Sequence, residues 1–235
     1  MTVFSPLWYI MVGSMLVATV TITFAARVRP GHWTVAAGKG LAAVLFATAL
    51  VWLVTTLSAE RLSWATSLPL PLCDLAAFVA GVALWTRRQV LVDLTYYWGI
   101  AGTLQGLLTP DLPVGAASYT KVEYLITHTV VVLAAVYLVA GMRLYPARWA
   151  GLRVIAVTAV YTAIVGAVDA ATGGNYMFLA RRPGSVTLLN ALGPWPWYLL
   201  SAAGVAVLLV AVLSAPFVIA RRWEPRWSPG PGLPL

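Results

Sequence analysis

Long apolar runs separated by short basic or polar segments restrict the folds that this chain can adopt. Each run is about 20 residues long, the length that a helix needs to cross the roughly 30 Å hydrocarbon core of a bilayer. Apolar residues make up 61% of the sequence and charged residues 9%, whereas a soluble domain carries about 25% charged residues. The chain lacks the charge to cover a surface in water, so the sequence predicts an all-α polytopic membrane protein.

The sequence predicts seven transmembrane helices in a single membrane domain over residues 1–222. The apolar runs cover approximately residues 4–26, 36–58, 69–88, 90–108, 120–142, 152–172 and 194–222. No basic segment precedes the first run, so we expect a retained helix and not a cleaved signal peptide. Residues 223–235 are rich in proline and glycine, which predicts a disordered cytosolic tail.

The basic residues predict the orientation. Eleven of the fifteen Lys and Arg residues fall in one set of loops and four in the other. Because cytoplasmic loops carry an excess of Lys and Arg, the set with eleven predicts the cytosolic side. Seven helices then place the N-terminus outside and the C-terminus in the cytosol. The net charge of +8 is therefore a topology signal and not a nucleic-acid-binding patch, and no nucleic-acid partner is expected.

Ionisable and polar side chains within the apolar runs are the candidate functional residues, because they are costly inside a bilayer. Most of them fall near the predicted outer end of the bundle: Cys73, Asp74, Gln105, Glu123, His128, Asp169, Asn175 and Tyr176. Chance would divide them between both ends, so their clustering predicts a polar pocket that opens outward. Asp93 lies near the inner end, and we expect it to be an interfacial ion partner of Arg87 and Arg88.

Each of these residues also has a structural interpretation. Cys73 could be a small apolar filler, and His128 could hydrogen-bond to a neighbouring helix. Asp74 follows Cys73 and so points about 100° away around the helix. Glu123 and His128, which are five residues apart, also diverge.

Two further features of the sequence bear on the kind of site: an aromatic cluster at the start of the last predicted helix, and the small number of cysteines and histidines. Trp195, Trp197 and Tyr198 begin the last predicted helix, where aromatic belts at the membrane interface are common. One cysteine excludes a disulfide framework and a multi-cysteine metal site, and two histidines are too few for a histidine-rich one. No nucleotide, flavin or metal motif is present, so we expect no metal and no cofactor.

Several short segments together carry a resemblance to a known family. They are Leu68–Cys73 (LPLPLC), Gln105–Pro110 (QGLLTP), His128, Asn175–Leu179 (NYMFL), Pro183 and Gly193–Tyr198 (GPWPWY). Over about residues 65–215 the chain resembles the bacterial YwaF-type integral membrane proteins, which are similar to the animal transmembrane protein 164 family. The resemblance favours a multi-pass protein of a bacterial plasma membrane.

The resemblance implies lipid acyl chemistry. The animal relatives look like lipid acyltransferases that use a cysteine and a histidine, and they are distantly similar to membrane hydrolases of fatty-acid esters that pair threonine with histidine. By motif position the nucleophile would be Cys73 and the base His128. Many relatives have a polar residue two places before the cysteine. Here that place is Pro71, so His128 would act alone.

The leading hypothesis is acyl transfer, or lipid ester hydrolysis, at the outer leaflet with a membrane lipid as substrate. Asn175 or Gln105 could donate to the oxyanion, and Asp169 or Glu123 could orient the imidazole. Two alternatives stay open. One is a small-molecule or proton-coupled transporter with a relay of ionisable residues in the same pocket. The other is a non-catalytic accessory subunit or receptor whose aromatic surface binds lipids or a membrane-protein partner.

Overall fold

A computed structural model describes residues 6–58, 62–110, 118–184 and 187–223, and the regular elements among these residues are all helical. They are α1 Pro6–Val28, α2 His32–Leu57, α3 Leu72–Thr86, α4 Gln89–Tyr97, a π-helix Trp98–Thr103, α5 Leu104–Leu108, α6 Ser118–Val136, a second π-helix Tyr137–Gly141, α7 Ala150–Thr172, a 3₁₀ turn Tyr176–Phe178, α8 Leu188–Ala191 and α9 Trp197–Trp223. The all-α class is confirmed. Apart from Trp223, the predicted tail lies outside the described residues.

Five helical spans are long and apolar enough to cross a bilayer. They are Trp8–Val28, His32–Leu57, Tyr119–Gly141, Ala150–Thr172 and Trp197–Arg222. This result confirms a multi-pass membrane protein.

The remaining two predicted crossings differ from a regular span. Helix α3 has 15 residues, or about 22 Å. It begins at Leu72 and not near Pro69, because Pro71 forms its N-terminal cap. Helix α4, the first π-helix and α5 follow one another without a break from Gln89 to Leu108, a length of about 30 Å. The number seven stays a prediction.

Helix α6 lies at the centre of the bundle. In the most apolar part of the span Tyr119–Gly141, which contains most of α6, 67% of the residues are buried, against 6% in the corresponding part of α9. Both α3 and α4 pack against α6. Gly99 in the first π-helix permits a close approach to α6. A Cβ atom at Gly99 would lie 2.8 Å from the Cβ of Ala135, so no larger residue fits without moving a helix.

The basic ends of several helices meet at the α6–α7 connection. Arg27 at the end of α1 donates to the Tyr145 hydroxyl (2.7 Å). Gln89 at the start of α4 donates to the Tyr145 carbonyl (3.0 Å). Arg221 near the end of α9 donates to the Pro146 carbonyl. These ends therefore lie on one face of the bundle, here called the basic end.

The ion partner of Asp93 differs from the prediction. Asp93 is fully buried and pairs with Arg153 of α7 at 3.3 Å, not with Arg87 or Arg88. Its carboxylate also accepts from Gln89 (2.7 Å) and from the backbone of the α6–α7 connection (3.2 Å). The difference arises because Asp93 lies one turn inside α4 and faces α7, whereas the two arginines form the turn before α4.

Candidate functional site

The predicted polar residues gather at the end of the bundle opposite the basic end. There the loop after α7 holds the connection between α2 and α3. The Tyr176 hydroxyl accepts from the Leu68 amide (2.9 Å) and donates to the Trp64 carbonyl (3.0 Å). Tyr161 of α7 donates to the Leu70 carbonyl (2.9 Å). These bonds fix the chain just before Cys73.

Cys73 lies in the first turn of α3 and is partly buried, so it is closer to the helix end than predicted. Its thiol lies beside the hydroxyl of Thr103, the last residue of the first π-helix. Thr103 is only 1% exposed, and its hydroxyl makes no hydrogen bond within the described residues. Sequence reasoning missed Thr103, because a lone threonine in an apolar run carries no signal.

The hydrogen bond of His128 fixes which ring nitrogen can act as a base. Nδ1 lies 2.7 Å from the Tyr124 carbonyl oxygen. A carbonyl can only accept, so Nδ1 carries the proton and Nε2 keeps its lone pair. The imidazole also stacks on the Tyr124 ring, with centroids 3.8 Å apart. A backbone carbonyl, and not a carboxylate, therefore orients this buried ring.

Gly106 of α5 provides the surface against which His128 packs. A Cβ atom there would lie 3.2 Å from His128 Nε2 and 3.1 Å from the Tyr124 hydroxyl oxygen. Tyr124 also donates to the Gly106 carbonyl (2.7 Å). Cys73 therefore lies beside Thr103, and His128 lies beside Gly106, three residues further along the same segment.

A cavity of about 310 Å³ lies between α2, α3 and α6. Asp74, Glu123 and Thr127 form part of its lining, and Glu123 accepts from the Thr127 hydroxyl (2.9 Å). Asp74 thus turns toward α2 and α6 while Cys73 turns toward Thr103, which confirms that the two neighbours face different sides. Glu123 likewise diverges from His128, as predicted, and does not orient its ring.

A second, larger space of about 590 Å³ lies between the first π-helix, α7 and α9, and is here called the apolar groove. Leu72 and Gly102 line it, and these residues immediately precede Cys73 and Thr103. The neighbours of Cys73 thus line different cavities, Leu72 the apolar groove and Asp74 the smaller cavity, while Cys73 lines neither.

Two of the predicted site residues close the loop after α7. Asp169 accepts from the Tyr176 amide (2.8 Å). The Asn175 amide accepts from the backbone of Ala180 (3.0 Å) and Arg181 (2.9 Å) and donates to the Arg181 carbonyl (3.0 Å). These bonds occupy the Asn175 side chain and turn the Asp169 carboxylate toward the loop. Neither contacts His128 in this arrangement.

The remaining predicted residues lie around this end. Gln105 is half-buried on α5. Trp195 and Trp197 are 56% and 64% exposed, whereas Tyr198 is buried and donates to the Phe178 carbonyl. The exposure of both tryptophans suits the predicted position at the membrane interface.

The sequence profile of the TMEM164 family matches residues 2–214. This chain belongs to the TMEM164 family. It is also similar to an uncharacterized protein of Treponema pallidum (strain Nichols), with 26% identity over 181 residues, which cover 74% of this chain and 72% of that protein. No solved structure matches the chain. The TMEM164 match includes Cys73 and His128, whereas the likeness to YwaF-type proteins and the acyltransferase activity stay predictions.

Proposed function

We propose that this member of the TMEM164 family transfers an acyl group from a membrane lipid ester, with Cys73 as nucleophile and His128 as base. What supports the proposal is that Cys73 lies beside Thr103 and His128 lies beside Gly106, three residues further along the same segment. The free lone pair of His128 Nε2 supports the same assignment.

The reaction has two balanced steps. His128 Nε2 takes the Cys73 proton, and the thiolate attacks the acyl carbonyl. The lipid oxygen leaves with the proton from His128, and the acyl group stays on sulfur as a thioester. His128 then takes the proton of an acceptor hydroxyl, which attacks the thioester and releases Cys73. A lysolipid acceptor gives transfer, and water gives hydrolysis.

Thr103 contributes a hydrogen bond to the Cys73 thiolate in this proposal. A buried thiolate needs a donor nearby, because burial away from water disfavours the charge. The family resemblance leads us to expect a polar residue at the place of Pro71, and the Thr103 hydroxyl supplies a polar group from a different helix. Gln105, on the same short segment, is the proposed donor to the oxyanion, since the Asn175 amide is engaged in its loop.

The proposal also includes the position in the membrane. We infer seven crossings of a bacterial plasma membrane, with the N-terminus outside, the C-terminus in the cytosol and the basic end facing the cytosol. The polar end, with Cys73, then faces the outer leaflet. Asp74 and Glu123 line a pocket beside the reacting atoms.

Acyl transfer by the purified chain in lipid nanodiscs tests the proposal. A phospholipid with a labelled acyl chain serves as donor and a lysophospholipid as acceptor. We expect Cys73→Ala to abolish transfer, and His128→Gln to lower it about 100-fold or more, since general bases contribute about 10²–10⁴-fold. His32→Gln is the matched control, because His32 is exposed at the start of α2.

The label should also appear on the protein as a thioester that hydroxylamine removes. The chain has one cysteine, so the site of that thioester is unambiguous. Unchanged transfer in Cys73→Ala would overturn the proposal and favour the accessory or transport alternatives.

A further inference from the structure

The apolar groove is closed at the basic end by the contact between α7 and α9, and the loop after α7 covers its other end. At the basic end, α7 and α9 touch: a Cβ atom on Gly151 would lie 2.9 Å from Ser214 Oγ and 3.1 Å from a Val210 methyl. Ser214 also shares a hydrogen bond with the Tyr97 hydroxyl (2.8 Å). Met177 and Leu179 of the loop after α7 line the opposite end. The two helices therefore diverge from a closed base toward the polar end.

The groove offers hydrocarbon contacts and few free polar groups. Its middle is lined by small side chains of three elements: Ala101, Gly102, Ala159, Ala163, Ala202, Ala203 and Ala206. Bordering polar groups already have partners, since Trp98 donates to the Thr158 hydroxyl (2.8 Å) and Thr158 donates to the Val154 carbonyl (2.7 Å). A flexible apolar chain suits this lining.

The length of the groove matches one leaflet. From Tyr198 to Val210, its lining spans twelve residue steps along α9, or about 18 Å. One leaflet contributes about half of the 30 Å hydrocarbon core. A partner helix would need a track along the full 30 Å and a width of about 10 Å. The groove is therefore suited to a single fatty acyl chain.

Its upper part adjoins the proposed nucleophile. Leu72 and Gly102 line the groove, and their next residues in sequence are Cys73 and Thr103. Ala203 and Ala206 line it while remaining exposed, so a chain can enter sideways from the bilayer. A chain seated in this way has its upper end at Leu72, one residue before Cys73, although the Cys73 side chain itself does not line the groove.

We propose that the apolar groove binds the fatty acyl chain of the lipid ester that Cys73 attacks. That this acyl chain is the one transferred to Cys73 rests on the proposed function. Binding of an acyl chain in the groove does not depend on it. Because the groove ends at the contact between α7 and α9, its depth limits the length of the chain that fits.

Photo-crosslinking in the Cys73→Ala chain tests binding without any acyl transfer. The protein is placed in nanodiscs with phosphatidylethanolamine probes that carry a diazirine at the end of a long or a short acyl chain, and labelled peptides are mapped by mass spectrometry. Ala206→Phe fills the deep half of the groove. Ala211→Phe is the control, since Ala211 is exposed on the same helix and does not line the groove.

We expect the long-chain probe to label the deep lining selectively in the parent and in Ala211→Phe. Ala206→Phe should largely abolish that labelling, because the phenyl ring takes the space of the end of the chain. The short-chain probe should still label the upper lining in Ala206→Phe, which shows that the variant is folded.

Equal labelling of the groove and of the other lipid-facing helices would overturn the inference, as would long-chain labelling that Ala206→Phe leaves unchanged. Selective labelling without transfer by the Cys73-containing chain would contradict the proposed function alone.

Discussion

The hydroxyl of Thr103 is buried beside the single thiol of the chain and makes no hydrogen bond within the described residues. Burying a hydroxyl without a full partner costs about 1–3 kcal/mol by mutational measures. A methyl group of the same shape would avoid this cost. The threonine is therefore better explained by an effect on Cys73 than by a contribution to stability.

Replacing Thr103 with valine should separate these two roles. We expect Thr103→Val to retain or raise the midpoint of thermal unfolding, because no other hydrogen bond is lost. The rate of Cys73 alkylation by iodoacetamide at fixed pH should fall about tenfold or more, since a hydrogen bond to a charged group is worth about 1.5–3 kcal/mol. Thr103→Ser, which keeps the hydroxyl, should react at close to the original rate. Unchanged alkylation in the valine variant would exclude this role for Thr103.

Gly106 is the second residue for which the structure makes a sharp prediction. A methyl group there would lie 3.1–3.2 Å from the His128 ring and the Tyr124 hydroxyl, so the imidazole must move. We expect Gly106→Ala to lower stability by about 1–3 kcal/mol, as overpacking does, and to reduce acyl transfer.

Gly40→Ala is the matched control, because Gly40 lies within α2 and a Cβ atom there meets nothing within 4 Å. That variant should be neutral or more stable by about 0.5–1 kcal/mol. Equal effects at both glycines, in thermal unfolding and in transfer, would mean that His128 does not depend on Gly106.

Sequence reasoning predicted a polar end with Cys73 and His128 as its reacting pair, which stays a prediction, and it assigned several further roles that the contacts do not support. Cys73 and His128 came from a resemblance, because a thiol and an imidazole on separate helices have no spacing rule. Asp169 and Asn175 were expected to assist the imidazole or the oxyanion. They instead bond to nearby backbone, as Asp and Asn side chains often do in turns.

Helix α4 carries the one ion pair found within the described residues. Asp93 joins α4 to the α6–α7 connection and to Arg153 of α7. Arg153 is 37% exposed, so solvent screens part of the attraction, but loss of the buried carboxylate would also leave Gln89 without this acceptor. The pair therefore maintains the position of α4 relative to α7, and with it the floor of the apolar groove.

Variants at Asp93 should show this dependence. We expect Asp93→Ala to lower the unfolding midpoint strongly, since both Arg153 and Gln89 lose an acceptor. Asp93→Asn keeps a neutral acceptor of the same shape and should cost less. Thermal unfolding of both variants in the same detergent measures the difference. Equal losses in the two variants would show that a neutral acceptor of the same shape does not replace the carboxylate.

At the level of elements, the apolar runs predicted most helices to within a few residues. The largest shift is the start of α2, which moves from about residue 36 to His32. The start of α3 moves from near Pro69 to Leu72, because prolines at 69 and 71 keep that segment out of a helix. The two π-helices had no signal in the sequence. They depend on tertiary packing, such as the approach of Gly99 to Ala135, which hydropathy alone does not contain.

For the whole molecule, the positions of the helix ends bear on the proposed seven crossings. The turn between α3 and α4 lies at the basic end, where Gln89 contacts Tyr145. The connection between α2 and α3 lies at the opposite end, where Leu68 contacts Tyr176. Helix α3 and the Gln89–Leu108 stretch therefore run the length of the bundle beside α6. The loop charges predict the same alternation, although the short α3 requires a locally thinner bilayer.

Cysteine accessibility distinguishes the two topologies. Residues 66, 86 and 148 are each exposed. The variants Thr66→Cys, Thr86→Cys and Arg148→Cys, each made in a Cys73→Ala background, are treated with a membrane-impermeant maleimide in intact spheroplasts. With seven crossings and the N-terminus outside, the reagent labels residue 66 in intact cells and labels residues 86 and 148 only after lysis. With five crossings that omit α3 and Gln89–Leu108, residue 86 is labelled in intact cells as well. Labelling of residue 148 but not 66 would reverse the orientation and place Cys73 at the inner leaflet.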